Sequence, residues 1–300
     1  VTLRDTPWVD TSFAKLWERI EAASPRPEWM PIRRPGERVT MKEYGCGYYG
    51  CVMPTSDPTV VCKLTTDVTE AVFVAALLSI PRASRQKAFV GMVRYHAIYE
   101  LPREEVPLPP AGRNPEGRIF VLWRDSVDEV GVAEDDEQGD ANPLRNYNEW
   151  AAKLHGYVER FAQPENSGGF DAMLKYLEMP KKMVEQLRVT FKETLDSMAQ
   201  GSWQRQIANR AYVAITAAYI VKQIPAAIVS IEHPEYAGIR ETLRYLYSVG
   251  LILGDLHSGN LGYVNRSGQP HHLPELVITD PGHAIPFQSR WTKVKVPVLP

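Results

Sequence analysis

Strand-like and helix-like stretches are segregated along this chain, and that segregation restricts its fold more than any other feature. From about Arg38 to Arg124 the sequence reads as short β-rich runs: Val39–Tyr44, Cys51–Pro54, Thr59–Leu64, Val90–Tyr99 and Ile119–Trp123, separated by Gly, Pro and Asp signals. One helix, Val68–Leu78, interrupts them after the third run. Residues 144–249 then read almost entirely as helices: Leu144–Phe161, Phe170–Met198, Trp203–Ile224 and Glu235–Val249. Two further strands, Leu261–Val264 and Leu276–Thr279, flank a turn-rich stretch from Asn265 to Pro274. This order predicts an α+β protein with a small, mainly antiparallel β lobe and a helical second lobe. An apolar stripe of Phe13, Leu16, Trp17 and Ile20 predicts a helix before the strands, with Asp10 or Thr11 as N-cap and a Pro-rich connector after it. The expected divisions are residues 1–36, 37–124 and 125–300.

Composition narrows the class of function. Apolar residues make up 44% of the 300 positions and charged residues 23%, which is globular. Thirty-four basic against thirty-six acidic side chains give a net charge of −2, so no global basic field points to nucleic acid. Three cysteines between Cys46 and Cys62 are too few for an extracellular framework, and they read as small loop and strand fillers in a cytoplasmic protein. The opening residues, Val1 to Asp10, are polar and mixed in charge, unlike a signal peptide. The longest apolar stretch, Ala211 to Ile231, is interrupted by Lys222, Gln223 and Pro225 and reads as a buried helix followed by a break, not a membrane span. An acidic run (Asp128, Glu129, Glu134, Asp135, Asp136, Glu137, Asp140) reads as a solvated loop.

Three constellations carry chemistry. Gly45, Gly47 and Gly50 sit in a G-x-G-x-x-G-x-V string between two strand-like runs, with no helix following. That setting removes the dinucleotide-binding context and leaves a hairpin flap whose backbone N–H groups can approach phosphate oxygens. Lys63 lies inside the apolar strand Val60–Leu64, and the only acids between it and Val90 are Asp67 and Glu70. Asp67-x-x-Glu70 is also a capping-box pattern, and Glu70 can face Lys63 at the same time. The third is Gly254-Asp255-Leu256-His257-Ser258-Gly259-Asn260, followed by Val277-Ile278-Thr279-Asp280-Pro281-Gly282. A carboxylate that receives a proton, with an amide oxygen and a second carboxylate for hard cations, suits phosphoryl transfer to a hydroxyl.

These motifs, from about Glu43 to Ala284, resemble the protein-kinase-like superfamily. The resemblance implies a two-lobed fold with ATP and Mg²⁺ in the cleft. Gly45, Gly47 and Gly50 match the glycine-rich loop, Lys63 the lysine of the third strand, and Glu70 the glutamate of helix C. Asp255 matches the catalytic-loop aspartate, His257 the position of the catalytic-loop lysine, and Asn260 and Asp280 the metal ligands, with Pro281 where phenylalanine is usual. Ile119–Arg124, including Trp123, matches the strand that leads to the adenine-binding hinge. Gly254 stands where protein kinases carry an arginine, which implies a centre assembled without activation-loop phosphorylation, its tail held by Ile285, Phe287 and Trp291. A protein serine or threonine is the first expected acceptor, on family abundance. The Gly-Asp-Leu-His-x-Gly-Asn wording instead resembles aminoglycoside- and choline-type phosphotransferases, which favours a small-molecule alcohol. A non-catalytic, partner-binding pseudokinase is the third reading.

Overall fold

The computed structural model describes residues 18–32, 45–46, 50–102, 117–129, 142–161, 168–265 and 274–299. The predicted strand Val39–Tyr44, the first part of the N-terminal helix, Gly47 and most of the acidic run lie outside them. The protein is α+β. Strands β1 (Gly45–Cys46), β2 (Gly50–Pro54) and β3 (Val60–Thr65) lead into helix α1 (Val68–Ser79) and the single turn α2 (Arg82–Arg85). Strands β4 (Tyr95–Glu100), β5 (Phe120–Asp125) and β6 (Asp128–Glu129) follow. Then come helices α3 (Arg145–Phe161), α4 (Gly169–Leu177), α5 (Lys181–Ser197), α6 (Trp203–Val221), α7 (Ile224–Val229) and α8 (Ala237–Ser248). Short strands β7 (Leu251–Ile252), β8 (Leu261–Val264), β9 (Glu275–Ile278) and β10 (Ile285–Pro286) complete the order.

Five strands form one antiparallel sheet in the order β1-β2-β3-β5-β4. Side chains alternate across it, so Cys62, Leu64, Val121 and Trp123 pack on the outer face with Ile20 and Trp29, while Phe120 and Leu122 face α1 and the helices. The helical residues 18–23 and a 3₁₀ turn at Pro27–Trp29 therefore cover the sheet instead of forming a separate unit. Helix α1 is apolar on nearly every side because it is enclosed, with Ala71, Phe73, Val74 and Leu77 all buried. It starts at Asp67, whose carboxylate accepts from the Thr69 and Glu70 amides, and stops at Ile80, which Pro81 holds in an extended conformation.

Several boundaries differ from the sequence reading. The expected single helix Phe170–Met198 is two, α4 and α5, because Pro180 lacks an N–H and cannot continue a helix. The expected strand Val90–Tyr99 begins only at Tyr95. Residues 91–93 cross to β9 instead: the Ile278 amide donates to Gly91, and the Val93 amide donates to Ile278. The pairing of β7 with β10 had no signal, each strand being two residues long. Helix α6 lies in the one helical stretch among the described residues that is long and apolar enough to cross a membrane, Trp203–Val229, and 61% of its most apolar window is buried inside the protein. The filler reading suits Cys62, a buried free thiol. It fails for Cys51, which is disulfide-bonded in a hairpin that sets position 46 opposite position 51.

Candidate active site

Lys63 occupies the central strand β3, where its neighbours on both sides are strands and its side chain can only point inward or outward. It points inward. Its Nζ donates to Glu70 Oε1 at 2.8 Å and to Asp280 Oδ2 at 2.7 Å. Glu70 comes from the first turn of α1 and is 1% exposed, so the Asp67 half of the capping box forms while the Glu70 carboxylate turns to the lysine. Asp280 ends the chain segment that follows β9, 217 residues away in sequence. One buried ammonium thus joins the sheet, α1 and the end of β9.

Within the triad two carboxylates around one ammonium leave a surplus negative charge, and Arg124 is the nearby cation that acts on Asp280. Burial raises the Glu70 carboxyl and the Asp280 charge raises it further; Lys63 only partly opposes them, and it reaches about 7. Burial also pushes Asp280 up, but the adjacent Lys63 ammonium outweighs it and holds this carboxyl below its ordinary value. For Lys63 the burial penalty is overcome by the two carboxylates, and its affinity for the proton rises.

The segment 253–260 faces this triad. Leu253 and Leu256 are fully buried anchors, and the polar residues between and beyond them are presented to the cleft. Helix α3 pins the segment: the Tyr147 hydroxyl donates to the Leu253 carbonyl at 2.6 Å, and Asn148 Nδ2 donates to the Leu256 carbonyl at 2.6 Å. Asn260 Nδ2 donates to the Asp255 carbonyl at 2.7 Å, which fixes the amide and leaves Oδ1 outside that bond. The Asn260 carbonyl accepts from the Thr279 amide at 2.8 Å, so the segment is tied directly to the Asp280 strand. His257 is exposed, and its Nδ1 accepts from the Gly259 amide at 3.1 Å. Asp255, with φ 56°, and His283, with φ 51°, are the two non-glycine residues in the left-handed region among those described. Their side chains approach to 3.9 Å, and strain of this kind persists where surrounding contacts over-determine it.

A cavity of about 810 Å³ is lined by Gly50, Lys63, Glu70, Asp255, His257, Asn260 and Asp280. Residues drawn from every described part of the three constellations therefore share one cleft. Gly45 is in β1, paired with Val52. Gly50 lines the cleft, and the structure gives it a packing reason: a Cβ there would stand 2.6 Å from the Leu64 carbonyl and 3.0 Å from Lys63 Cε. The Trp123 side chain does not reach the cleft. It is fully buried on the outer sheet face, and its Nε1 donates to the Trp29 carbonyl at 3.0 Å. Strand alternation puts Leu122 and Arg124 on the inner face instead, and Arg124, Ser126 and Val127 line the cleft.

Sequence reasoning missed Arg124, a buried cation beside the triad, because an arginine at the end of a strand reads as surface charge. It also missed Tyr147, Asn148, His155 and His283, which carry no spacing signal in the sequence. Among the described residues no cluster of three His, Cys, Asp or Glu side chains could hold a metal ion. The oxygen donors at hand are the Asn260 amide and the Asp280 carboxylate. No family model, curated protein or solved structure matches the chain.

Proposed function

We propose that this protein is an ATP-dependent phosphotransferase of kinase-like, two-lobed build, moving the γ-phosphate to a hydroxyl. The observation that carries the reading is the Lys63 ammonium held at 2.8 Å from Glu70 and 2.7 Å from Asp280, facing Asp255 and Asn260 across a cleft of about 810 Å³. That volume lies within the range of small-molecule sites, roughly 300–1,000 Å³, and suits a nucleotide. Lys63, positioned by Glu70, would clamp the α/β-phosphates, with the Gly50 hairpin above them and Arg124 adding a second cation. The base would rest against Ser126 and Val127, just beyond β5 and away from Trp123.

The donor set fits Mg²⁺. Asp280 engages Lys63 through Oδ2 and Asn260 engages Asp255 through Nδ2, so each keeps a hard oxygen for an ion that takes its remaining ligands from phosphates and water. When bound, the ion supplies neutralising charge to the phosphates. Asp255 is half-exposed, which suits a group that must meet an incoming hydroxyl, orient it and accept its proton. His257, on the same segment, would approach the transferring group.

The binding half of this reading is tested by titrating Mg-ATP into the wild type, Lys63→Ala, Asp280→Asn and Asp255→Asn. Affinity should fall about ten- to a hundredfold in the first two variants and stay near wild type in the third. Equal affinity in all four proteins would remove the Lys63 triad from nucleotide binding.

A further inference from the structure

Arg124 is buried, charged and short of hydrogen-bond acceptors. It is 7% exposed near the end of β5, its Nε has no hydrogen-bond partner, and its Nη1 reaches the Asp125 carbonyl only at 3.3 Å. The adjacent acid does not neutralise it. Strand alternation turns Asp125 to the other face, where Oδ1 meets His96 Nε2 at 2.9 Å and Oδ2 accepts from the Arg94 amide at 3.3 Å. A buried guanidinium with spare donors costs free energy until acceptor atoms arrive, and Arg124 lines the cleft of about 810 Å³. We infer, on the phosphotransferase reading above, that Arg124 reads the edge of the nucleotide base, and that the cleft binds a 6-oxopurine (guanine or hypoxanthine) more tightly than adenine.

Strand register sets Arg124 within reach of the base. Lys63 stands opposite Leu122 and Val61 opposite Arg124, so the arginine is one same-face step, about 7 Å, along the sheet from the lysine and one step before Ser126. The inner face there carries Val52, opposite Lys63, and Val61, while Leu261 enters the cleft from another sheet. These side chains give a flat ring apolar walls. A ring lying between them and against Ser126 turns one edge to Arg124, and its triphosphate runs toward Lys63.

Hydrogen-bond chemistry then decides which ring. An arginine side chain has N–H donors and no acceptor. Guanine and hypoxanthine present O6 and N7, adjacent acceptors that one guanidinium engages together. Adenine keeps N7 but sets an amino group, a donor, where O6 would be. A 6-oxopurine therefore takes up the donors that Arg124 has spare, whereas adenine sets N–H against N–H. Both nucleotides offer the same phosphates to the Lys63 end of the cleft, so the preference resides in the base and ATP remains a weaker ligand of the same site.

The test titrates Mg-GTP, Mg-ITP and Mg-ATP into wild type, Arg124→Gln and Arg124→Met. Wild type should bind GTP and ITP about ten- to a hundredfold more tightly than ATP, the ITP arm showing that O6 is read and not the 2-amino group of guanine. A glutamine amide offers a donor to adenine N7 and an acceptor to its amino group, so Arg124→Gln should reverse the order. Arg124→Met, which keeps an unbranched chain and removes every N–H, should bring the ratio near one. Each ratio is taken within one protein, so a lost phosphate contact cancels, and melting temperatures report that the variants are folded. A wild type that binds ATP as tightly as GTP or ITP, or a preference unchanged in both variants, overturns the base assignment and leaves the phosphotransferase reading standing. A wild type that binds none of the three triphosphates overturns that reading and this inference with it.

Discussion

Lys63 balances one of its two carboxylates, and Glu70 carries the cost of the other. Its carboxyl, at about 7, holds a proton in the folded protein that the unfolded chain releases near its ordinary value of 4.5. The stability this contributes is complete below about 4.5 and is lost as the pH rises through about 7, by at most about 3 kcal/mol. Asp280 works in the opposite sense, its contribution being lost only as the pH falls below its ordinary 3.8. Nucleotide-free protein should therefore melt at progressively lower temperature from pH 5 to pH 7.5, and Glu70→Gln should flatten that slope. A flat wild-type profile, or an unchanged slope in the variant, would contradict the charge assignment. At this scale the sequence was most legible where polar residue types recur in a fixed order, as with Asp255, Asn260 and Asp280, which the fold brings to one cleft. It was least legible where only the fold assigns a partner. Nothing in the spacing joins His155 to His283, and only strand alternation tells that Trp123 turns away while Arg124 turns in. Gly254, noted in sequence for the arginine it replaces, has a steric reason too: a Cβ there would lie 3.1 Å from His283 Cβ.

Elements meet most tightly where residues 91–93 cross helix α8. A Cβ on Gly91 would fall 2.1 Å from the Gly238 carbonyl carbon, and the Thr242 hydroxyl, fully buried, accepts from the Gly91 amide while donating to the Ala88 carbonyl. Backbone cannot yield there as a long side chain would. Gly91→Ala should destabilise the protein by about 3 kcal/mol or more, measured by denaturant unfolding, and a loss under about 0.5 kcal/mol would show that the crossing is loose. The same crossing explains why the sequence reading overran. Val90 to Val93 has strand composition, and its backbone does bond like a strand, but to β9 and not to the sheet. Pro180 is the opposite case, a local signal present in the sequence, since a residue without an N–H breaks the helix that the range 170–198 would need. Helix α3, legible as a helix, was not legible as the element that fixes the 253–260 segment, since Tyr147 and Asn148 act through backbone carbonyls 106 and 108 residues away.

Across the whole molecule, the sheet and the helices share one core. Phe120, Leu122 and α1 belong to the same buried cluster as α3, α6 and α8. A second tie runs from the end of the chain: Glu100 donates to the Pro297 carbonyl at 2.8 Å and accepts from the Leu299 amide at 2.9 Å, so residues 297–299 lie parallel to β4 with Leu299 buried in the outer cluster. Ile285, Phe287 and Trp291 anchor the chain before it, and Trp291 Nε1 donates to the Val249 carbonyl. Removing residues 296–300 should lower the melting temperature and speed amide exchange in β4 and β5, and unchanged exchange there would show that the tie is incidental. The division into strands and helices was legible from composition and period, whereas this closure was not, because three residues carry too little pattern to announce a strand. The central proposal is chemical: Asp255 would receive a proton from a hydroxyl while phosphate leaves ATP. The measurement that addresses it most directly is transfer of label from γ-labelled Mg-ATP to an acceptor by wild type and Asp255→Asn at matched nucleotide saturation. The expected result is transfer by the wild type and a loss of about 10²-fold or more in the variant with ATP affinity retained. Near-equal transfer by the two proteins, or none by the wild type, would contradict it.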